Sequence, residues 1–241
     1  MTGPLIHGVF RLIPRTWRFK LARSLAALAG SRAERCLGYF LAVMDERRLP
    51  FDPEVTLSGF EELRTAAEAG RGALVIATHG NAGMARLILR ALDEARVNSA
   101  VLSHAPGYPI CGTGREVETI RPAGTFLLAV RSKLRSGSVV CGLIDSPEPL
   151  ARDAAHVVVD GASLWLSTPL IRVAIQWQVP VFFLKGRFAG RAVAVELQTA
   201  PVGVPTAKVI DAFAAFLPAG AASPTRFARS PRSLVPRRRA S

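Results

Sequence analysis

The residues able to do chemistry gather at the ends of apolar runs. Ala73-Leu74-Val75-Ile76-Ala77-Thr78 stops on His79 and Gly80, after which Asn81 opens a helical pattern. A buried strand ending on a histidine delivers it to the crevice beyond the carboxyl ends of an open α/β sheet, where ligands bind. An imidazole there can exchange a proton near neutral pH. The alternative is a loop histidine that only hydrogen-bonds its neighbours. Gly80 and Asn81 stand at the helix start, whose amide groups point back toward His79, and both are expected to contact a substrate. Asp145 ends a second apolar run, Val139 to Ile144. It reads either as a site carboxylate or as a turn former that bonds backbone amides ahead of Pro147.

Arg115 follows an irregular Pro/Gly-rich segment, His104 to Gly114. Its planar fork of donors suits a phosphate, and the alternative is a surface pair with Glu116 or Glu118. Gly112-Thr113-Gly114 is a weak match to a phosphate loop, lacking the flanking strand, the third glycine and the lysine. Cys111 could act as a nucleophile, but a small buried cysteine is the commoner outcome. His104 and His156 read as structural. Cys36, Cys111 and Cys141 are odd in number with no C-x-x-C spacing, which points to neither a disulfide framework nor structural zinc and fits a reducing cytoplasm.

The elements that must position these residues follow from periodicity. Short strands are expected at Val55–Leu57, Ser99–Leu102, His156–Val159, Val179–Leu184 and Ala192–Leu197, beside the runs ending at His79 and Asp145. Helices are expected at Phe60–Ala69, from the Asn81 cap to about Ala95, and at Gly124–Arg135, Leu164–Trp177 and Lys208–Phe216, with Met84, Leu87, Ile88 and Ala91 facing inward. The alternation predicts an α/β fold, a mixed and largely parallel sheet flanked by helices. Residues 51–217 form that domain, residues 1–50 a basic helical segment, and residues 218–241 a Pro, Ala, Ser and Arg tail too poor in apolar residues to order itself.

Net charge is +13, from 31 Lys+Arg against 18 Asp+Glu, and it sits at the ends. Residues 1–33 hold Arg11, Arg15, Arg18, Lys20, Arg23 and Arg32 and no acid, while residues 226–241 hold six arginines and no acid. Taking these six and six from the 31 leaves 19 basic residues against 18 acidic ones in the body. Basic ends on a near-neutral body suit an anionic membrane surface, at about 1 kcal/mol per basic residue, better than nucleic acid. Arg15–Ala29 places Trp17, Leu21, Leu25 and Leu28 on one stripe, to lie in a membrane interface or to pack on the body. No apolar run of about 20 residues exists and the start lacks the features of a signal peptide, so membrane contact is expected to be peripheral.

Four blocks, in order, carry a resemblance: Val55–Leu63 leading to Gly70–His79, Arg115 after the irregular loop, Leu134–Val140 leading to Asp145, and Val157–Gly161 followed by a helix and Val179–Phe183. Across roughly residues 55 to 197 the chain resembles the bacterial lipid A biosynthesis acyltransferases, within the wider group of glycerolipid acyltransferases with an H-x4-D/E motif. The resemblance implies transfer of a fatty acyl group from an acyl carrier protein or coenzyme A thioester to a hydroxyl, or amine, of a lipid-like acceptor, with neither metal nor bound cofactor. It implies His79 as general base, Arg115 as the family arginine and Asp145 as the family aspartate, on a protein peripheral to the cytoplasmic face of the inner membrane.

The departure is the motif acid, whose position holds Met84, flanked by Gly83 and Ala85. The next carboxylates, Asp93 and Glu94, lie about 15–20 Å further along the helix at 1.5 Å per residue. Asp145 is the substitute, because parallel neighbouring strands would bring it to the sheet edge that holds His79. The alternative is a catalytically degenerate acyltransferase fold serving as a lipid-binding or complex-forming subunit.

Overall fold

A computed structural model describes residues 12–28, 54–104, 107–110, 115–146, 153–159, 162–189 and 192–217. In chain order its elements are α1 (Arg15–Ala27), β1 (Glu54–Ser58), α2 (Phe60–Glu68), β2 (Ala73–Ala77), α3 (Ala82–Glu94), β3 (Ser99–Leu102), β4 (Tyr108–Pro109), β5 (Glu116–Ile120), α4 (Phe126–Arg135), β6 (Val139–Leu143), β7 (Asp145–Ser146), β8 (Ala154–Val159), β9 (Ala162–Ser167), α5 (Pro169–Gln176), β10 (Val181–Ala189), β11 (Ala192–Thr199) and α6 (Thr206–Phe216). Among the described residues the main sheet has eight strands in the order β1-β11-β10-β2-β6-β3-β5-β4. It is mixed and largely parallel: β10, β2, β6, β3 and β5 share one direction, while the β10–β11 and β4–β5 pairs are antiparallel. A second sheet, β7-β9-β8, continues from the carboxyl end of β6.

Connection direction decides which helix covers which face. The β2-α3-β3 crossover moves outward past β6, and β5-α4-β6 returns inward past β3. Crossovers of one hand that run in opposite directions place their helices on opposite faces. Side-chain alternation obeys this. Leu74 and Ile76 join the core under α4, α5 and α6, whereas Ala73, Val75 and Ala77 join the core under α2 and α3. With both faces covered, β2 is buried at every position.

Gly72 launches β2 with φ +63°, and a Cβ there would strike the Leu134 backbone, so no other residue lets the chain pass beneath α4. β10 and β11, with β1 beside β11, complete the main sheet on the other side of β2, and the Phe183 ring meets those of Phe213 and Phe216 of α6 in tilted contacts.

Two expectations are corrected. Leu164–Trp177 is not one helix: Ala162–Ser167 is β9, and only Pro169–Gln176 is helical. Leu164 and Leu166 are buried between exposed Ser163 and Ser167, a period of two, and Pro169 at the start of α5 marks the true helix beginning. The irregular segment before Arg115 hides β4, which pairs with β5, a strand unmarked in the sequence reading although Val117 and Ile120 are buried and Glu116 and Glu118 exposed.

Trp17 and Leu25 of α1 and Leu28 just after it are exposed while Ala22 is buried, so that stripe is not covered by the described residues. No helix among the described residues is long and apolar enough to cross a membrane. Residues 29–50 of the basic helical segment, Cys111 with Gly112-Thr113-Gly114, and the tail from Pro218 lie outside the described residues.

Candidate active site

The site is set by register. β2 and β6 are parallel, with Ala77 opposite Leu143. The ladder runs on as the Ile144 N–H donates to the Ala77 carbonyl at 3.0 Å, which brings His79 level with Asp145. There β2 ends in a single 3-10 turn, His79–Asn81, and α3 begins. One carboxylate oxygen, Asp145 Oδ1, accepts the His79 backbone N–H at 2.6 Å and meets the His79 ring Nδ1 at 2.8 Å.

A carboxylate only accepts, so Nδ1 carries the ring proton and basicity falls to Nε2. The imidazole stays 36% exposed while Asp145 is 11% exposed, leaving the base accessible and its partner enclosed. Burial is the largest single influence on His79 and pulls its pKa down. The hydrogen bond that the His79 ring donates to the Asp145 side chain, the Asp145 charge and the backbone bond together outweigh it, and the pKa is raised above the ordinary 6.5.

Asn81 occupies the N-cap position of α3 but makes no side-chain cap bond. Its amide is turned inward. Nδ2 donates to Thr78 Oγ1 at 3.0 Å, and Oδ1 accepts the Gly186 N–H of β10 at 3.0 Å. β10 pairs with β2 only as far as Phe183 opposite Ile76. Beyond that point the Asn81 side chain takes a β10 donor that no β2 residue meets.

Met84 is 1% exposed. A Cβ built on Gly186 would lie 2.6 Å from Met84 Sδ, so the thioether fills the space left by that glycine. The position that resembles the motif acid is here part of the apolar core between α3 and β10.

Arg115 is not brought to His79. It is ion-paired with Asp93 at the far end of α3, a partner the sequence reading did not name, while Glu118 pairs with Lys133. Glu118 lies opposite Ala100, Ala100 opposite Val140, and Val140 opposite Leu74. Arg115 therefore sits at the amino edge of the strands and His79 at the carboxyl edge, roughly 25 Å apart at about 3.3 Å per residue.

Cys141 is buried in β6, and burial pushes its thiol up to about 12, which makes it no nucleophile. His104 is exposed, and His156 packs its ring 4.8 Å from that of Trp165 across the β8–β9 ladder. Among the described residues no group of three His, Cys, Asp or Glu could hold a metal ion.

Sequence reasoning missed Thr78 and Gly186. Both left a signal: a lone hydroxyl closing an apolar run, and a lone glycine inside a strand, which often marks close approach by another group. No protein-family model matches the chain, and no curated protein matches it.

Proposed function

We propose that this protein is an acyltransferase resembling the lipid A biosynthesis family, moving a fatty acyl group from an acyl carrier protein or coenzyme A thioester to a hydroxyl, or amine, of a lipid-like acceptor. The observation that carries the reading is the His79–Asp145 pair at the carboxyl edge of a largely parallel sheet, where ligands bind in open α/β folds. His79 Nε2 takes the acceptor's proton as its oxygen attacks the thioester carbonyl. That attack forms the new C–O bond (C–N for an amine), and the tetrahedral intermediate collapses by re-forming the carbonyl as the C–S bond breaks. The leaving thiolate then takes the proton from the imidazolium. Asp145 holds the Nδ1–H tautomer throughout and stabilises the cation.

The exposed Trp17 and Leu25 of α1 and Leu28 just after it, with Lys20 over the Trp17 ring at 5.1 Å, support peripheral seating on an anionic membrane, on the cytoplasmic face where acyl thioesters are made. Binding to vesicles containing anionic lipid, weakened by salt and lost on removal of residues 1–33 and 218–241, is the expected result.

The central test incubates the purified full chain with a long-chain acyl-CoA or acyl carrier protein and lipid acceptors, and follows thiol release and ester formation. Turnover that His79→Ala abolishes is expected, and turnover surviving that substitution overturns the reading. The buried Met84 favours a second reading, a degenerate fold that binds lipid or partners without turnover. It predicts acyl-chain binding with no thiol release.

A further inference from the structure

The turn that carries His79 is closed on itself and tied to β10 by one buried side chain, that of Asn81. His79 and Gly80 are bracketed by Thr78, which is fully buried, and Asn81, which is 5% exposed. Asn81 Nδ2 donates to Thr78 Oγ1 at 3.0 Å, and the Asn81 backbone N–H donates to the Thr78 carbonyl at 2.8 Å. These two bonds close a ring around the histidine. Asn81 Oδ1 accepts the Gly186 N–H at 3.0 Å, which fastens the ring to β10, the strand on the opposite side of β2 from β6 and Asp145.

The His79 backbone is thus anchored on one flank by β10 through Asn81 and on the other by the Asp145 carboxylate. Both Asn81 bonds are buried, where an unmatched amide or donor is expensive, so the side chain has a single low-energy placement. An aspartate could not present a donor to Thr78 and an alanine would leave the Gly186 N–H without its acceptor. The motif-acid position nearby, filled by Met84, offers the turn no hydrogen bond in exchange.

We propose that Asn81 is a positioning residue: with Thr78 and Gly186 it fixes the His79 turn at the spacing that keeps ring Nδ1 on Asp145. This rests on the reading of His79 as the general base for its kinetic consequence, but the geometric part stands apart from it. Asn81 acts through His79 rather than on substrate. Loss of the brace lets the turn drift, and a displacement of about 1 Å at a catalytic group can lower turnover on the order of 10²-fold.

The test uses the full chain labelled with ¹⁵N-histidine. Ring nitrogen shifts, recorded above the His79 pKa and assigned from the signals missing in His79→Ala, report the share of the Nδ1–H tautomer. The wild type is expected to be almost wholly Nδ1–H. Asn81→Ala and Thr78→Val should shift His79 toward the Nε2–H form, and Thr78→Ser, which keeps the hydroxyl, should restore the wild-type spectrum. In the acyl-transfer assay kcat should fall on the order of 10²-fold in Asn81→Ala with KM changed by less than about twofold. If Asn81→Ala does not fold, Thr78→Val carries the same measurement with a side chain of nearly equal size. An unchanged tautomer in a folded variant overturns the proposal whatever the activity. Turnover that survives His79→Ala overturns the acyltransferase reading instead, and leaves the tautomer shift to decide the brace.

Discussion

Replacing Asp145 by asparagine removes one charge and keeps the shape of the side chain, and the structure indicates how much that change should matter. A single oxygen, Oδ1, serves both His79 donors, the backbone N–H at 2.6 Å and Nδ1–H at 2.8 Å. An asparagine that turns its carbonyl oxygen to this position can accept both bonds, so Asp145→Asn preserves the tautomer and loses only charge. A hydrogen bond to a charged group contributes about 1.5–3 kcal/mol against about 1 kcal/mol for a neutral one. Because the imidazole is 36% exposed, solvent screening keeps the difference toward the low end, about 0.5–1 kcal/mol. At 1.36 kcal/mol per factor of ten this is roughly 2- to 5-fold in turnover. Asp145→Ala removes the orienting oxygen as well. It should fall on the order of 10⁴-fold, the size seen where an amide replacement misorients the histidine of a serine protease.

The assay is thiol release from acyl-CoA as a function of pH, beside an NMR titration of His79. In the proposed reaction the reactive form is neutral imidazole, so wild-type turnover should rise as pH climbs through a His79 pKa lying above 6.5. In Asp145→Asn the charge that raised the value is gone and burial still pulls it down, so both titration and rate profile move to lower pH. A folded pKa raised above the unfolded one stabilises fully below about 6.5 and ceases to do so as pH rises through the folded value. Asp145→Asn should therefore lower Tm more at pH 6 than at pH 9. A His79 pKa that does not move, or equal losses in Asp145→Asn and Asp145→Ala, refutes the assignment of one shared oxygen to both bonds.

Met84→Glu places a carboxylate in a core position that is 1% exposed, with a cost of about 3–5 kcal/mol if it stays ionised and unpaired, so a fall in Tm is expected; a variant as stable as wild type with higher turnover would show that position 84 reaches His79. Arg115→Ala breaks an exposed pair with Asp93 at the far edge of the sheet, and urea denaturation should register no more than about 1 kcal/mol, with turnover within about threefold of wild type. Cys141, its thiol pushed up to about 12, should resist alkylation in the native protein and react in denaturant, read from the mass of its tryptic peptide.

Local patterns carried far in this chain. The all-apolar Ala73–Ala77 and Val139–Ile144 runs announced central strands, and Ser99–Leu102 and the helix beginning after Asn81 agree with the structure to within about two residues. The sequence also located His79 and Asp145 at strand ends, because a run of buried side chains stops where the backbone leaves the sheet. What failed were short alternations with polar ends. β5 and β9 each show only two buried residues among those described, too few to outweigh the helix-compatible spacing around them.

Pairing between distant segments was decided by the tertiary structure alone. That His79 and Asp145, 66 residues apart, share one oxygen depends on β2 and β6 being neighbours in parallel register, a choice made by the packing of helices on two faces. The same registers carried Arg115 to the opposite edge, which its place in the order of sequence blocks could not reveal. They also turned Asn81 from an expected substrate contact into a link between Thr78 and Gly186, 105 residues away, because only the folded sheet brings an unclaimed β10 N–H to its amide. Residue type fixed what chemistry each side chain could do, and strand register fixed which of them could do it together.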